Sequence, residues 1–183
     1  MIKREEIFSI PNILSYIRII LIPVFLYTYF YVESSRHYMS GGILVVSSFT
    51  DFLDGYIARH YNMITNLGKF VDPLADKLTQ ITVALTLVHE YPFYILLVII
   101  ILIKDGMLLL VGAYLLKKYN THLNQADMPG KIATAVFFVI SVFMLIFSPA
   151  QTISRILIVF TTVLMFIAMI HYAKELYGLK KAV

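Results

Sequence analysis

Four aspartates stand close together in an otherwise apolar chain. Asp51 and Asp54 lie in D-F-L-D-G-Y-I-A-R, and after eight residues Asp72 and Asp76 lie in G-K-F-V-D-P-L-A-D. On a helix of 3.6 residues per turn, Asp51, Asp54 and Ala58 fall at i, i+3 and i+7, and Asp72 and Asp76 at i and i+4, so each set shares one face. Both carboxylate pairs can therefore point into a shared cleft. An ionised carboxylate inside a membrane span costs on the order of 3 kcal/mol by insertion scales, and such residues face cavities and mark function.

The cations within this stretch that could offset the charge are Arg59 and Lys77, and Lys77 points roughly 100° away from the neighbouring Asp76 on a helix. Two divalent ions would balance the set, with Asp51, Asp54, Asp72 and Asp76 as the candidate ligands. A donor set made only of oxygen selects hard cations, Mg²⁺ or Mn²⁺ first and Ca²⁺ next. Two such ions about 4 Å apart form a clamp suited to in-line displacement at phosphorus. Gly55 and Ala58 are small enough for a diphosphate to approach the helix backbone, and the Arg59 guanidinium can bind phosphate oxygens.

The elements that must carry these side chains are membrane helices. Of the 183 residues 60% are hydrophobic and 14% charged, and the mean hydropathy is +0.81; soluble domains carry about a quarter charged residues. The pattern predicts an all-α, polytopic membrane protein of one domain, residues 1–183. Six transmembrane helices are expected over 12–32, 39–60, 69–89, 92–116, 130–148 and 152–174. A short interfacial segment precedes them, with Ile7, Phe8 and Ile10 toward lipid. The first residues, with Lys3-Arg4-Glu5-Glu6, do not resemble a removable signal peptide.

With six spans both termini share one side. Lys3, Arg4, Arg59, Lys69, Lys117, Lys118, Lys131, Lys174, Lys180 and Lys181 fall there, against Arg36 and Arg155 on the other. This bias places both termini, and the aspartates, on the cytoplasmic side. Cysteine is absent, which excludes a disulfide framework, a thiolate nucleophile and a cysteine zinc site. The net charge of +4 without a basic stripe speaks against a nucleic-acid partner. The five histidines show no spacing typical of a helical metal site.

The pattern Asp51-x-x-Asp54-Gly55-x-x-Ala58-Arg59, eight residues, Gly68-x-x-x-Asp72-x-x-x-Asp76 resembles the signature of the CDP-alcohol phosphatidyltransferases. Pro11-Asn12-Ile13-Leu14-Ser15-Tyr16-Ile17-Arg18 is similar to that family's entry into its first helix, and the six-span plan covers nearly the whole chain. The resemblance implies transfer of a phosphatidyl group from a CDP-linked lipid, usually CDP-diacylglycerol, to an alcohol with release of CMP. It further implies that Asp51, Asp54 and Asp72 ligate the metal pair, and that Asp76 lies near the metals and acts as general base on the acceptor hydroxyl. Gly55, Ala58, Arg59 and Gly68 would line the cytidine diphosphate, and the protein would be a homodimer.

Two acceptors stay open. Residues 65–77 look most like bacterial phosphatidylglycerophosphate synthases, whose acceptor is glycerol 3-phosphate. Lys104-Asp105 followed by Gly106-Met107-Leu108-Leu109 is closer to cardiolipin synthases of the same family, whose acceptor is phosphatidylglycerol. Arg18, Lys104, Asp105 and Lys131 are the candidate acceptor-binding residues. Intramembrane aspartates also serve cation transporters, but there they sit near the midplane between repeats or broken helices.

Overall fold

The computed structural model describes residues 7–61, 63–65, 67–119 and 128–182, with side chains described at 7–61, 63–65, 67–107 and 128–174. Residues 1–6 of the expected interfacial segment lie outside this set; of the remainder, Phe8 and Ile10 are exposed. Among the described residues six long helices follow: α1 (Ile10–Tyr31), α2 (Arg36–His60), α3 (Gly68–Glu90), α4 (Ile95–Tyr119), α5 (Met128–Phe147) and α6 (Gln151–Ala182). Among the described residues there is no strand.

The helix boundaries follow local chemistry. Pro11 sits in the first turn of α1, where a missing N–H costs nothing. The fourth helix begins at Ile95, three residues later than the sequence pattern predicts, because Pro92–Tyr94 forms a 3₁₀ turn first. Thr65 opens α3 as a side-chain cap: its Oγ1 accepts the Gly68 N–H at 2.9 Å. Its carbonyl accepts the Lys69 N–H at 3.2 Å. Capping of this kind is worth about 1 kcal/mol.

Among the described residues three helices, against the six expected, are long and apolar enough to cross a bilayer by composition: Ile10–Tyr31, Met128–Phe147 and Gln151–Lys174. For α2 and α3 the shortfall has a physical origin. Arg36, Asp51, Asp54 and Arg59 in α2, and Lys69, Asp72, Asp76 and Lys77 in α3, lower the apolarity of those two helices. The apolar run of α4 is described only to Met107 at the side-chain level. The structure thus supports an all-helical integral membrane protein, with three helices meeting the composition of a crossing among the described residues.

The helices form two compact units: Met1–Thr86 with Ser141–Ser148, and Leu87–Ile140 with Pro149–Val183. In the first unit Phe25, Tyr29, Leu44, Val71, Ala75, Val83 and Ala84 are buried. The end of α5 joins them through Ile146, whose side chain lies where a Cβ on Gly41 would stand. In the second unit Leu97, Ile101, Phe137, Ile158, Met165 and Ala168 are buried. Tyr94 meets Phe137 edge-on there, with ring centroids 6.4 Å apart.

Candidate functional site

The first unit assembles the aspartates from two helices around a cation from a third. Asp51 and Asp54 come from α2, Asp72 and Asp76 from α3, and Arg18 from α1. Arg18 Nη1 stands 2.7 Å from Asp51 Oδ1 and also pairs with Asp76 Oδ1, while Nη2 pairs with Asp54 Oδ2. Two acceptors on one nitrogen lie within about 6 Å of each other, so the carboxylates of Asp51 and Asp76 are brought together across the α2 and α3 faces. The i, i+3 and i, i+4 spacings place both pairs toward one centre, as the sequence predicts.

The cluster is closed on one side and open on the other. The Arg18 side chain is 2% exposed and that of Asp54 5%, whereas Asp51 and Asp76 are 49% and 44% exposed. A ligand can therefore reach Asp51 and Asp76 but not the far side of the guanidinium. Arg18 is one of the largest fully buried side chains in the described set. Its Nε is buried without a hydrogen-bond partner.

Sequence reasoning assigned Arg18 to the acceptor and did not anticipate this pairing. Four aspartates and one arginine give a formal −4 + 1 = −3 at the centre of the cluster. Among the described residues no three His, Cys, Asp or Glu side chains converge tightly enough to hold a metal ion as they stand. The oxygens of Asp51, Asp54 and Asp76 are instead drawn onto the guanidinium. The donor set nevertheless suits a hard divalent cation: it is all carboxylate, gathered from two helices, anionic and accessible at Asp51 and Asp76.

Three further polar residues position the cluster. Ser15, fully buried on α1, donates through Oγ to Asp72 Oδ1, lies 3.4 Å from Asp54 Oδ2, and is 3.1 Å from the Pro11 carbonyl of its own helix. Asn12, also buried, accepts at Oδ1 from Thr65 Oγ1 at 3.1 Å. The chain Gly68 N–H to Thr65 Oγ1 to Asn12 Oδ1 ties the start of α3 to α1. Asn12, Ser15 and Arg18 recur every three residues, and this polar stripe on an apolar helix is the signal that could have located them.

Gly68 packs against this relay. A Cβ there would stand 2.6 Å from Asn12 Oδ1, 3.0 Å from Thr65 Oγ1 and 3.5 Å from Asp72 Oδ2. The residue is a glycine because α1 approaches so closely. At Gly55 a Cβ would meet Arg59 Nη2 at 3.4 Å, an ordinary contact. Arg59 itself is exposed and turns back to donate from Nε to the Gly55 carbonyl at 2.9 Å. Ala58 is half-buried beside them.

The remaining candidates belong to the second unit. Lys104 and Asp105 are buried, with Lys104 Nζ 3.4 Å from Asp105 Oδ1 and 3.8 Å from Met165 Sδ. Lys131 is exposed on the first turn of α5. Just before it, Gly130 lies where the Tyr172 ring leaves no room for a Cβ, so α5 and α6 are locked together at that point.

The fold and the cluster define a helical membrane protein with an all-carboxylate cluster gathered on a buried arginine. Comparison with known proteins gives the family. The profile of the CDP-alcohol phosphatidyltransferases matches residues 8–171, and the chain belongs to that family.

Among relatives, a protein of Rickettsia bellii named CDP-diacylglycerol--glycerol-3-phosphate 3-phosphatidyltransferase is 52% identical over 71 residues, 38% of this chain and 39% of that protein. A protein of the same name from Haemophilus influenzae is 34% identical over 103 residues, 56% of each chain. A cardiolipin synthase (CMP-forming) of Streptomyces coelicolor is 31% identical over 136 residues, 73% of this chain and 63% of that one. The chain thus spans about two fifths of the length of the most similar Rickettsia relatives it matches.

Proposed function

We propose that this protein transfers the phosphatidyl group of CDP-diacylglycerol to glycerol 3-phosphate, releasing CMP. The observation that carries the reading is the convergence of Asp51, Asp54 and Asp76 from two helices on one point, open at Asp51 and Asp76, in a chain of this family. The acceptor follows the names borne by the Rickettsia and Haemophilus relatives.

In the proposed reaction the acceptor oxygen forms a new bond to the phosphatidyl phosphorus, the bond from that phosphorus to the CMP oxygen breaks, and the hydroxyl proton passes to Asp76. Asp76 suits this role because its carboxylate is accessible while its neighbour Asp54 is not. Asp51, Asp54, Asp72 and Asp76 would hold two divalent cations, Mg²⁺ or Mn²⁺. When bound, these ions supply charge neutralisation at the attacking and leaving oxygens. Gly55, Ala58 and Gly68 would border the cytidine diphosphate. Arg59, exposed and bonded at the Gly55 carbonyl, would swing onto a phosphate oxygen. In the first unit the Nε edge of Arg18 would meet the acceptor phosphate; Lys104, Asp105 and Lys131 stay candidate acceptor-binding residues of the second unit.

The same reading includes six crossings with both termini and the aspartates at the cytoplasmic face, and a homodimer. The positive-inside bias supports the orientation. It also explains how one site serves a lipid-anchored donor and a water-soluble acceptor.

Phosphatidylglycerol is the second acceptor to consider, because the relative named cardiolipin synthase matches the larger share of this chain. A panel decides between them: purified protein with Mg²⁺ or Mn²⁺ and CDP-diacylglycerol, given each acceptor in turn, with CMP measured. CMP release with glycerol 3-phosphate is expected. Release with phosphatidylglycerol alone would replace the first reading by the second, and transport of a labelled cation with no CMP from any acceptor would refute both.

A further inference from the structure

Arg18 carries a role beyond substrate binding. Its guanidinium holds oxygens of Asp51, Asp54 and Asp76, three of the four candidate ligands, and among the described residues no three acidic groups close on a single ion in this arrangement. A guanidinium and a divalent cation both bind carboxylate oxygens, so they compete for the same atoms. The side chain is fully buried, so its charge depends on these carboxylates for compensation.

We infer that Arg18 is an exchangeable counter-ion: it holds the carboxylates together before divalent ions bind, and is displaced from them when the ions enter. The inference rests on the metal-dependent reading above. Displacement has a ready destination. Arg18 Nε is buried without a partner, and a guanidinium presents five N–H donors in a rigid fork. Once its Nη groups leave the carboxylates, the fork is free to take phosphate oxygens bidentately. Arg18 is then a positioning residue first and a phosphate ligand second.

Ser15 keeps the aspartates in register during the exchange. Its hydroxyl is held against Asp72, the carboxylate that Arg18 does not touch directly, and lies within reach of Asp54. One link between α2 and α3 through α1 thus survives the departure of the guanidinium.

The test uses the full chain in detergent and Mn²⁺ as the probe, without lipid or acceptor. Free Mn²⁺ is followed by its paramagnetic resonance signal, and thermal unfolding is recorded in chelator and in Mn²⁺. In Arg18→Gln the half-saturating Mn²⁺ concentration should fall by on the order of tenfold, the effect of one unit charge a few ångströms away in a partly screened site. The variant should melt below the parent in chelator and recover most of the difference in Mn²⁺. Arg18→Lys, which keeps the charge but cannot bridge three carboxylates, should fall between the two, and it serves alone if Arg18→Gln does not fold.

Unchanged or weaker Mn²⁺ binding in the variants, or a melting deficit that Mn²⁺ leaves in place, would overturn the exchange. Binding is scored without turnover, so a parent protein that binds Mn²⁺ competitively with Arg18 but releases no CMP would refute the proposed function and leave the exchange standing.

Discussion

Replacing Ser15 by alanine isolates one hydrogen bond at the candidate site. The Ser15 hydroxyl has one proton and three acceptors within reach: Asp72 Oδ1, the Pro11 carbonyl at 3.1 Å and Asp54 Oδ2 at 3.4 Å. The Asp72 contact is the shortest and the acceptor is charged, so the proton belongs there. Pro11 loses nothing essential in the variant, because its carbonyl keeps the helical bond of α1. Alanine fills nearly the same space, so the cost concentrates on Asp72. A hydrogen bond to a charged group contributes about 1.5–3 kcal/mol. If that energy orients Asp72 for the reaction, turnover falls roughly ten- to a hundredfold.

The assay is CMP release from CDP-diacylglycerol with glycerol 3-phosphate at saturating Mn²⁺, with kcat and KM separated and unfolding measured in parallel. Ser15→Thr, which retains a hydroxyl, should restore most of the rate. A kcat for Ser15→Ala within about twofold of the parent, at unchanged Mn²⁺ dependence, would refute the positioning role.

Other substitutions probe the rest of the site. Asp51→Asn and Asp72→Asn should abolish CMP release and weaken Mn²⁺ binding, whereas Asp76→Asn should abolish CMP release while CDP-diacylglycerol still binds; appreciable turnover in Asp76→Asn would rule out its role as the base. Gly68→Ala places a Cβ 2.6 Å from Asn12 Oδ1 and should cost about 1–3 kcal/mol in stability by breaking the Asn12–Thr65 relay. Adding Asn12→Ala to Gly68→Ala should recover part of that loss, since the two sites are in contact and their effects are not additive. Lys131→Ala should raise KM for glycerol 3-phosphate and leave KM for CDP-diacylglycerol unchanged; equal changes in both would remove it from the acceptor site.

Much of the scaffold was legible because it is written locally. The span expected over 12–32 is the helix Ile10–Tyr31, and that over 69–89 is Gly68–Glu90, since apolar runs bounded by polar residues leave little choice. The facing of Asp51 with Asp54 and of Asp72 with Asp76 followed from helical periodicity alone. The start of α4 was misplaced by three residues because Pro92 fits a 3₁₀ turn as well as a helical first turn. Of the six expected spans, three meet the length and apolarity of a crossing among the described residues, and α2 and α3 fall short because they carry the very charges that make the site.

What the sequence hid is long-range. Arg18 lies more than thirty residues before the aspartates in the chain, and nothing in the local pattern says that α1 lies against α2 and α3. The same holds for Ser15 with Asp72 and for Asn12 with Thr65. Gly68 was read as room for a nucleotide from its type and place. Its surroundings add a different reason, the approach of Asn12, and the two are separable by whether Gly68→Ala harms stability or only substrate binding.

Charge decides how these pieces work together. The cluster carries a formal −3 with Arg18 in place, and the diphosphate of a CDP-linked lipid is itself anionic. Bringing the two together without added cations would set like charges against each other at a site only partly exposed to water, where screening is weak. A single arginine suffices to hold the empty carboxylates but not to accept a diphosphate beside them. In the proposed exchange two divalent ions would reverse the sign of the centre by taking oxygens that Arg18 holds. On that proposal the Arg18 guanidinium would be released toward the incoming phosphate at the step when the substrate needs it.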